Sequence, residues 1–338
     1  MLGDTRRTLP GAPLHLFALD ATSALGAAIG AAIGQPPSRH EERSFEDGEH
    51  KARPLVSVRG ADVYVVQSLH GGPGESGNDK LVRLLFFIGA LRDGGAARIT
   101  AVVPYLAYSR KDRQTKPRDP VSTRYMAELI EAVGTDAVVT LDVHNIVAFQ
   151  NAFRINAWHL DTRRLMIERL LSDLPGGAIV VASPDPGGVK RAQLFREMLE
   201  ARLGRPVGAA FMEKRRSGGV VSGTLLAGDV EGAHAIIVDD MIASGHTMVR
   251  AAEALRAQGA LGVTAIAGHG LFTEGGAAAL ARPEIDRWIV TDAVPLFRLP
   301  EDLARRRVEV VSVAPLFAQA IRRLSGGGSL VDLIEGEA

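Results

Sequence analysis

Apolar, β-branched runs recur along the chain: VYVVQS (63 to 68), ITAVVPY (99 to 105), DAVVTLDVH (136 to 144), AIVVASPD (178 to 185), AIIVDD (235 to 240) and VTAIAGHG (263 to 270). Short, continuously apolar segments of this kind predict strands buried on both faces, as in parallel sheets. Between several of them lie patterns of helical period: DKLVRLLFFIGALRDGG (79 to 95), TRYMAELIEAVG (123 to 134), VKRAQLFREMLEARLG (189 to 204) and TMVRAAEALRAQG (247 to 259). They run into glycine, a common way for a helix to close. The alternation predicts an α/β fold with mostly parallel sheets flanked by helices. It runs twice, with a boundary in the Arg-rich helical stretch near 161 to 174, which predicts one domain over 12 to 165 and a second over 166 to 330. Sheets of this type bind ligands beyond the carboxyl ends of their strands.

Several strands stop on polar chemistry at those ends: DVH at 142 to 144, SPDPGG at 183 to 188 and VDD at 238 to 240. A single aspartate after a strand often caps a turn and nothing more. Asp239 and Asp240 are adjacent, however, and like charges side by side are tolerated mainly where cations neutralise them. Ser244, Gly245, His246 and Thr247 then lead into a helix. Its first amides have no intrahelical partner and its dipole favours an anion. A phosphate cradle beside carboxylates that can hold hydroxyls or magnesium-bound water suits a ribose phosphate.

Composition narrows the setting. The 338 residues exceed one ordinary core and favour two domains. Lys and Arg (39) balance Asp and Glu (39), which argues against a general nucleic-acid or anionic-membrane binder. Cysteine is absent, which excludes disulfides, thiolate metal sites and cysteine nucleophiles. The opening MLGDTRRTLPGAPLHLF lacks a signal-peptide core, and no apolar run approaches the roughly 20 residues of a membrane span. A soluble, cytoplasmic protein is expected.

Six motifs in order resemble the ribose-phosphate pyrophosphokinases, whose fold is a tandem of phosphoribosyltransferase-like domains: FEDGE (45 to 49), AVVPYLAYSRKDRQTKPRDP (101 to 120), TLDVH (140 to 144), SPDPGGVKRA (183 to 192), EKRR (213 to 216) and VDDMIASGHT (238 to 247). The resemblance implies transfer of the diphosphoryl group of ATP to the anomeric hydroxyl of ribose 5-phosphate, giving phosphoribosyl diphosphate and AMP. No GxxxxGK[ST] loop is present, so ATP must be held otherwise. By resemblance it is held by Phe45, Asp47, Gly48 and Glu49, reaching from a neighbouring subunit of a homo-oligomer, together with Arg110 and Lys111. Alone, FEDGEH reads as an exposed acidic turn.

The resemblance further implies that Asp239, Asp240, Ala243, Ser244, Gly245, His246, Thr247 and Arg216 bind ribose 5-phosphate. Lys214 and Arg216 would act catalytically from a loop that closes over the reacting phosphorus, although EKRRSGG alone reads as a solvated loop. His144 and Asp185 would associate with magnesium, or with manganese in its place, since histidine is a poor direct ligand for magnesium. Asp142 would only fix the local backbone. Three residues depart from the common family pattern: Ala243 replaces an acid, His246 a glycine and Lys111 a glutamine. A phosphoribosyltransferase, or a non-catalytic paralogue that regulates an active synthetase, is the alternative.

Overall fold

A computed structural model describes residues 11 to 217 and 220 to 335, the side chains of 213 to 217, 220 to 225 and 335 excepted. The chain divides into two compact units, one of residues 1 to 161 with 313 to 338, the other of residues 162 to 312.

The first unit opens with β1 (Leu14–Ala18) and α1 (Ser23–Ile33), followed by a hairpin of β2 (His40–Ser44) and β3 (His50–Pro54). Then come β4 (Asp62–Val66), α2 (Gly77–Asp93), β5 (Arg98–Val103), α3 (Ser122–Ala132), β6 (Ala137–Leu141), α4 (Ile146–Ala152) and β7 (Asn156–Leu160). Five strands form one sheet in the order β1-β4-β5-β6-β7, and every pairing is parallel. All residues of β4 and β6 are buried, which is why those runs lack alternation. Ser76 caps α2 by accepting from the amides of Asn78 and Asp79, and the Asp79 side chain accepts from the Ser76 amide in return.

The second unit comprises α5 (Arg163–Leu171), β8 (Ile179–Ser183), α6 (Val189–Leu203), β9 (Gly208–Ser217), β10 (Val220–Ala227), β11 (His234–Ile242), α7 (His246–Ala257), β12 (Gly262–Gly270), α8 (Gly276–Leu280), β13 (Arg287–Thr291), α9 (Glu301–Arg307) and β14 (Val308–Val311). Its seven strands run in the order β10-β9-β8-β11-β12-β13-β14, and only β9 and β10 pair antiparallel. All nine residues of β12 are buried, and Trp288 of β13 lies fully inside.

The α/β reading and its parallel strands hold. The division differs from the expected one: the Arg-rich helix α5 lies entirely in the second unit, and the chain re-enters the first with α10 (Ala314–Gly326) and α11 (Val331–Glu335). Residues 313 to 330 therefore belong to the first unit and not to the second. The physical reason is the apolar stripe of α10, whose Phe317, Ala318 and Ile321 are buried and which packs on α1. Arg98 of β5 donates to the carbonyl of Leu324 at 3.0 Å, which ties the returning helix to the first sheet. Among the described residues no helix is long and apolar enough to cross a membrane.

Candidate active site

In the second unit the site grows from unequal strand lengths. β8 pairs with β11 only from His234 to Ile237, whereas β12 continues to pair as far as Ile242. Asp239 and Asp240 are thus not at the end of their own strand, as the VDD reading expected. They stand beyond the end of its neighbour β8 and remain held on the other side by β12, which fixes their backbone. Where β8 leaves off, Ser183 Oγ donates to the carbonyl of Asp185 at 2.6 Å. Asp185 Oδ1 then accepts from the amides of Gly187 (2.8 Å) and Gly188 (3.1 Å), capping the short turn that leads into α6.

From the first turn of α6, Arg191 reaches across to the acidic pair. Its Nη1 lies 3.1 Å from Asp239 Oδ1 and 3.1 Å from Asp240 Oδ1. Asp240 is almost fully buried at 3% side-chain exposure, against 20% for Asp239. Burial, and then the charge of Asp240, push the Asp239 carboxyl up to about 8, against which the Arg191 guanidinium works. The cation demanded by two adjacent acids is therefore present within the protein. Sequence reasoning quoted Arg191 within SPDPGGVKRA without giving it a role. Its signal was a basic residue one helical turn after a strand end, weak without knowledge of which strands are neighbours.

The turn after β11 is built around Gly245. Its φ of +81° is a left-handed conformation, and a Cβ there would lie 2.7 Å from Ala279 Cβ and 3.6 Å from the ring of Trp288. Only glycine meets both demands. Gly245 takes the positive φ, and His246 enters as the first residue of α7, so the side chain that replaces a glycine there meets no left-handed backbone. The imidazole Nδ1 lies 3.1 Å from Ser244 Oγ, and its ring sits against Gly275, where a Cβ would come within 3.0 Å of Cε1. The Ala243 carbonyl accepts from the amide of Thr273 at 2.8 Å, so the loop after β12 braces this turn. Unlike α2 and α4, α7 has no side-chain cap on its first amides, and Thr247 lies in that first turn. An anion fits such a terminus. Lys214 and Arg216 occupy strand β9, opposite Thr224 and Val221 of β10, and their side chains lie outside the described residues.

In the first unit, β6 ends at Leu141, and Asp142 adopts φ +39° while its amide donates to the carbonyl of Leu160 at 3.0 Å. That agrees with a backbone role for Asp142. His144 is exposed just before α4. Its neighbour Asn145 accepts from the amides of Val147 and Ala148 to cap that helix, and its Nδ2 donates to Asp112 at 2.8 Å. The loop of SRKDR is thereby tied to the end of β6. Within that loop Lys111 Nζ donates to Asp119 at 2.6 Å and to Thr115 Oγ1 at 3.1 Å. Lys111, then Thr115 and the local amides, hold the Asp119 carboxyl well below its ordinary range. Lys111 is thus engaged within its own loop, whereas Arg110 is exposed with no partner among the described residues.

FEDGE forms the tip of the β2–β3 hairpin. The Phe45 amide donates to the Glu49 carbonyl at 2.8 Å, the Glu49 amide to Asp47 Oδ1 at 3.1 Å, and Gly48 takes φ +91° at the bend. Phe45 is 41% exposed, with the Arg43 guanidinium 5.2 Å from its ring centre. An exposed aromatic side chain and three exposed acids, Glu46, Asp47 and Glu49, are displayed at one tip.

Comparison with known proteins agrees across the chain. Residues 14–134 match the N-terminal domain of ribose phosphate pyrophosphokinase, 153–271 a phosphoribosyl transferase domain and 221–335 a phosphoribosyl synthetase-associated domain. A ribose-phosphate pyrophosphokinase of Caldanaerobacter subterraneus subsp. tengcongensis is 38% identical over 95% of this chain and 97% of the relative. One of Granulibacter bethesdensis is 34% identical over 95% of this chain and 100% of the relative. The crystal structure of phosphoribosylpyrophosphate synthetase from Mycobacterium smegmatis superposes with a TM-score of 0.84 at 33% identity, covering 94% of this chain and 100% of that one. The chain belongs to the ribose-phosphate pyrophosphokinase family.

Proposed function

We propose that this protein transfers the β,γ-diphosphoryl group of ATP to the anomeric hydroxyl of ribose 5-phosphate. A bond forms from the anomeric oxygen to the β-phosphorus as the bond from that phosphorus to the α-phosphate oxygen breaks, AMP leaves, and the hydroxyl proton is released. The observation that carries this reading is the β11–α7 segment: two carboxylates bridged by Arg191, followed by a glycine turn and an uncapped helix terminus. The terminus receives the 5-phosphate, with the amides from Ser244 to Thr247, and the carboxylates receive the ribose hydroxyls.

Phosphoryl transfer calls mainly for positioning and positive charge. Lys214 and Arg216 supply that charge to the reacting phosphates, and Arg110 supplies it to the ATP side, with Lys111 contributing once it parts from Asp119. Phe45 stacks on the adenine while Asp47, Gly48 and Glu49 meet the nucleotide, in a homo-oligomer whose hairpin tips serve neighbouring subunits. Magnesium, when bound, neutralises phosphate charge and keeps most of its water. Asp185 fits such an ion: Oδ1 is committed to two amides, while Oδ2 has no partner among the described residues and is the hard oxygen that magnesium prefers. By resemblance, His144 would act through a magnesium-bound water, or bind manganese directly.

Asp239→Asn tests the division of labour. It should raise the KM for ribose 5-phosphate well above any change in the KM for ATP. A larger effect on ATP would mean that the two substrates have been given to the wrong segments.

A further inference from the structure

The root of the β2–β3 hairpin carries an arrangement that neither the tip nor the sheet requires. Along β2, His40 and Glu42 point to one face and Glu41 to the other, where it pairs with Lys51 and Arg53. A two-stranded hairpin gains stability only by burying one face, so inward positions are ordinarily apolar. Here they are a histidine and a glutamate, 12% and 5% exposed. The His40 ring stands 6.3 Å from that of Phe17 and 5.6 Å from that of Phe87.

His40 Nε2 lies 3.0 Å from Glu42 Oε1 and 3.8 Å from Asp20 Oδ1. Glu42 Oε1 also accepts from the Asp20 amide at 2.6 Å, just where the chain leaves β1. The hydrogen bond to Glu42 comes first in favouring the charged ring, burial opposes it, and Asp20 and the Ser38 backbone add to the same side. With two carboxylates 3.0 and 3.8 Å from the same ring nitrogen, a positive charge on the imidazole is favoured. Arg83 of α2 approaches Glu42 Oε2 at 3.7 Å, and also binds Ser44 Oγ at 2.8 Å and Glu75 at 3.0 Å. A protonated His40 thus faces the carboxylates of Asp20 and Glu42, and Arg83 faces those of Glu42 and Glu75. The neighbouring histidines lie outside this exchange. His15 bonds Ser38 Oγ at 2.8 Å, and His50 stacks on Phe86, its pKa lowered by burial and then by Arg83.

We propose that His40, as an imidazolium, is a positioning residue that clasps the hairpin root to the turn after β1 and so sets the pose of the tip at residues 45 to 49. This rests on the reading of that tip as a nucleotide-binding segment. The clasp is complete below the ordinary histidine pKa of 6.5 and is lost as pH rises through the folded value, which Glu42 raises above it. Loss of the proton removes the charge that holds both carboxylates and loosens the root.

The test uses the full-length protein. His40 is followed by NMR titration of its ring, together with the Gly48 amide at the tip, while the KM values for ATP and ribose 5-phosphate are measured from pH 6 to 9 in wild type and Glu42→Gln. Ionisation of the nucleotide is common to both proteins and cancels in the comparison. His40 should titrate above 6.5, Gly48 should shift with it, and the ATP KM should rise about three- to tenfold through the same pH, as loss of a charged hydrogen bond implies. In Glu42→Gln all three inflections should move down together. An ATP inflection that stays in place while the His40 pKa moves overturns the proposal, as does a His40 ring already neutral at pH 6. So does a stoichiometric zinc ion that binds wild type and is lost in His40→Gln. Should the wild type form no AMP, the reading of the tip fails, and the clasp is judged by Gly48 alone: a shift that tracks His40 supports it and an invariant one overturns it.

Discussion

Replacing Arg191 by glutamine removes the guanidinium that bridges Asp239 and Asp240, and the structure bounds the cost. Burial, and then the charge of Asp240, raise the Asp239 carboxyl, and Arg191 compensates the charge that this almost fully buried pair retains. Breaking a buried ion pair by removing one partner typically costs about 3 to 5 kcal/mol. Asp240 can escape the full penalty by taking up a proton. From an ordinary pKa of about 3.9 that costs about 4 kcal/mol at pH 7 and about 1.5 kcal/mol at pH 5, at 1.36 kcal/mol per unit. Arg191→Gln should therefore destabilise the second unit by about 2 to 4 kcal/mol at pH 7 and by about 1 to 2 kcal/mol at pH 5. Trp288, fully buried in that unit, reports its unfolding in urea, in a background where Trp158 of the first unit is replaced by phenylalanine. A loss as large at pH 5 as at pH 7, or no measurable loss at pH 7, would refute the argument.

Three further outcomes follow from the same geometry. At pH 7, binding of ribose 5-phosphate with magnesium should release protons, since hydroxyl donors and a cation favour the ionised form of the raised Asp239 carboxyl, and the release should shrink towards pH 9; calorimetry in two buffers of different ionisation enthalpy reads this directly. Gly245→Ala should lower stability by at least about 1 to 2 kcal/mol and weaken ribose 5-phosphate binding, because its Cβ would meet Ala279 in a left-handed backbone; an unchanged Tm and KM would show that the turn relaxes freely. Lys214→Ala should lower kcat by about a hundredfold with ribose 5-phosphate binding nearly intact, and near-normal turnover would remove Lys214 from the chemistry.

How much of this could be read from the chain depends on the range of the interaction. The buried strands were legible because burial on both faces erases alternation, as in VYVVQS and VTAIAGHG. The helices after them were legible from period and closing glycine. β1 and the β2–β3 hairpin were not, since LHLFA is short and HEERS places a histidine and a glutamate at its inward positions. The return of α10 to the first unit depends on contacts with a helix nearly 300 residues earlier, which no local pattern encodes. At the site, the acids and the phosphate turn were visible as local motifs. The partners that set their charge were not: Arg191 lies 48 residues from Asp239 in sequence, and it meets the pair only because β8 and β11 are neighbours. Likewise Asp119 was quoted inside a motif, yet only the folded loop places it on Lys111.

The central claim is that the diphosphoryl group moves as a unit to the anomeric oxygen. It is tested by incubating the purified protein with ATP, ribose 5-phosphate and magnesium, separating the nucleotides, and following phosphorus by NMR. AMP and phosphoribosyl diphosphate appearing in equal amounts, with neither formed when ribose 5-phosphate is left out, is the predicted result. Formation of ADP in place of AMP, or no turnover by a folded protein, would contradict it.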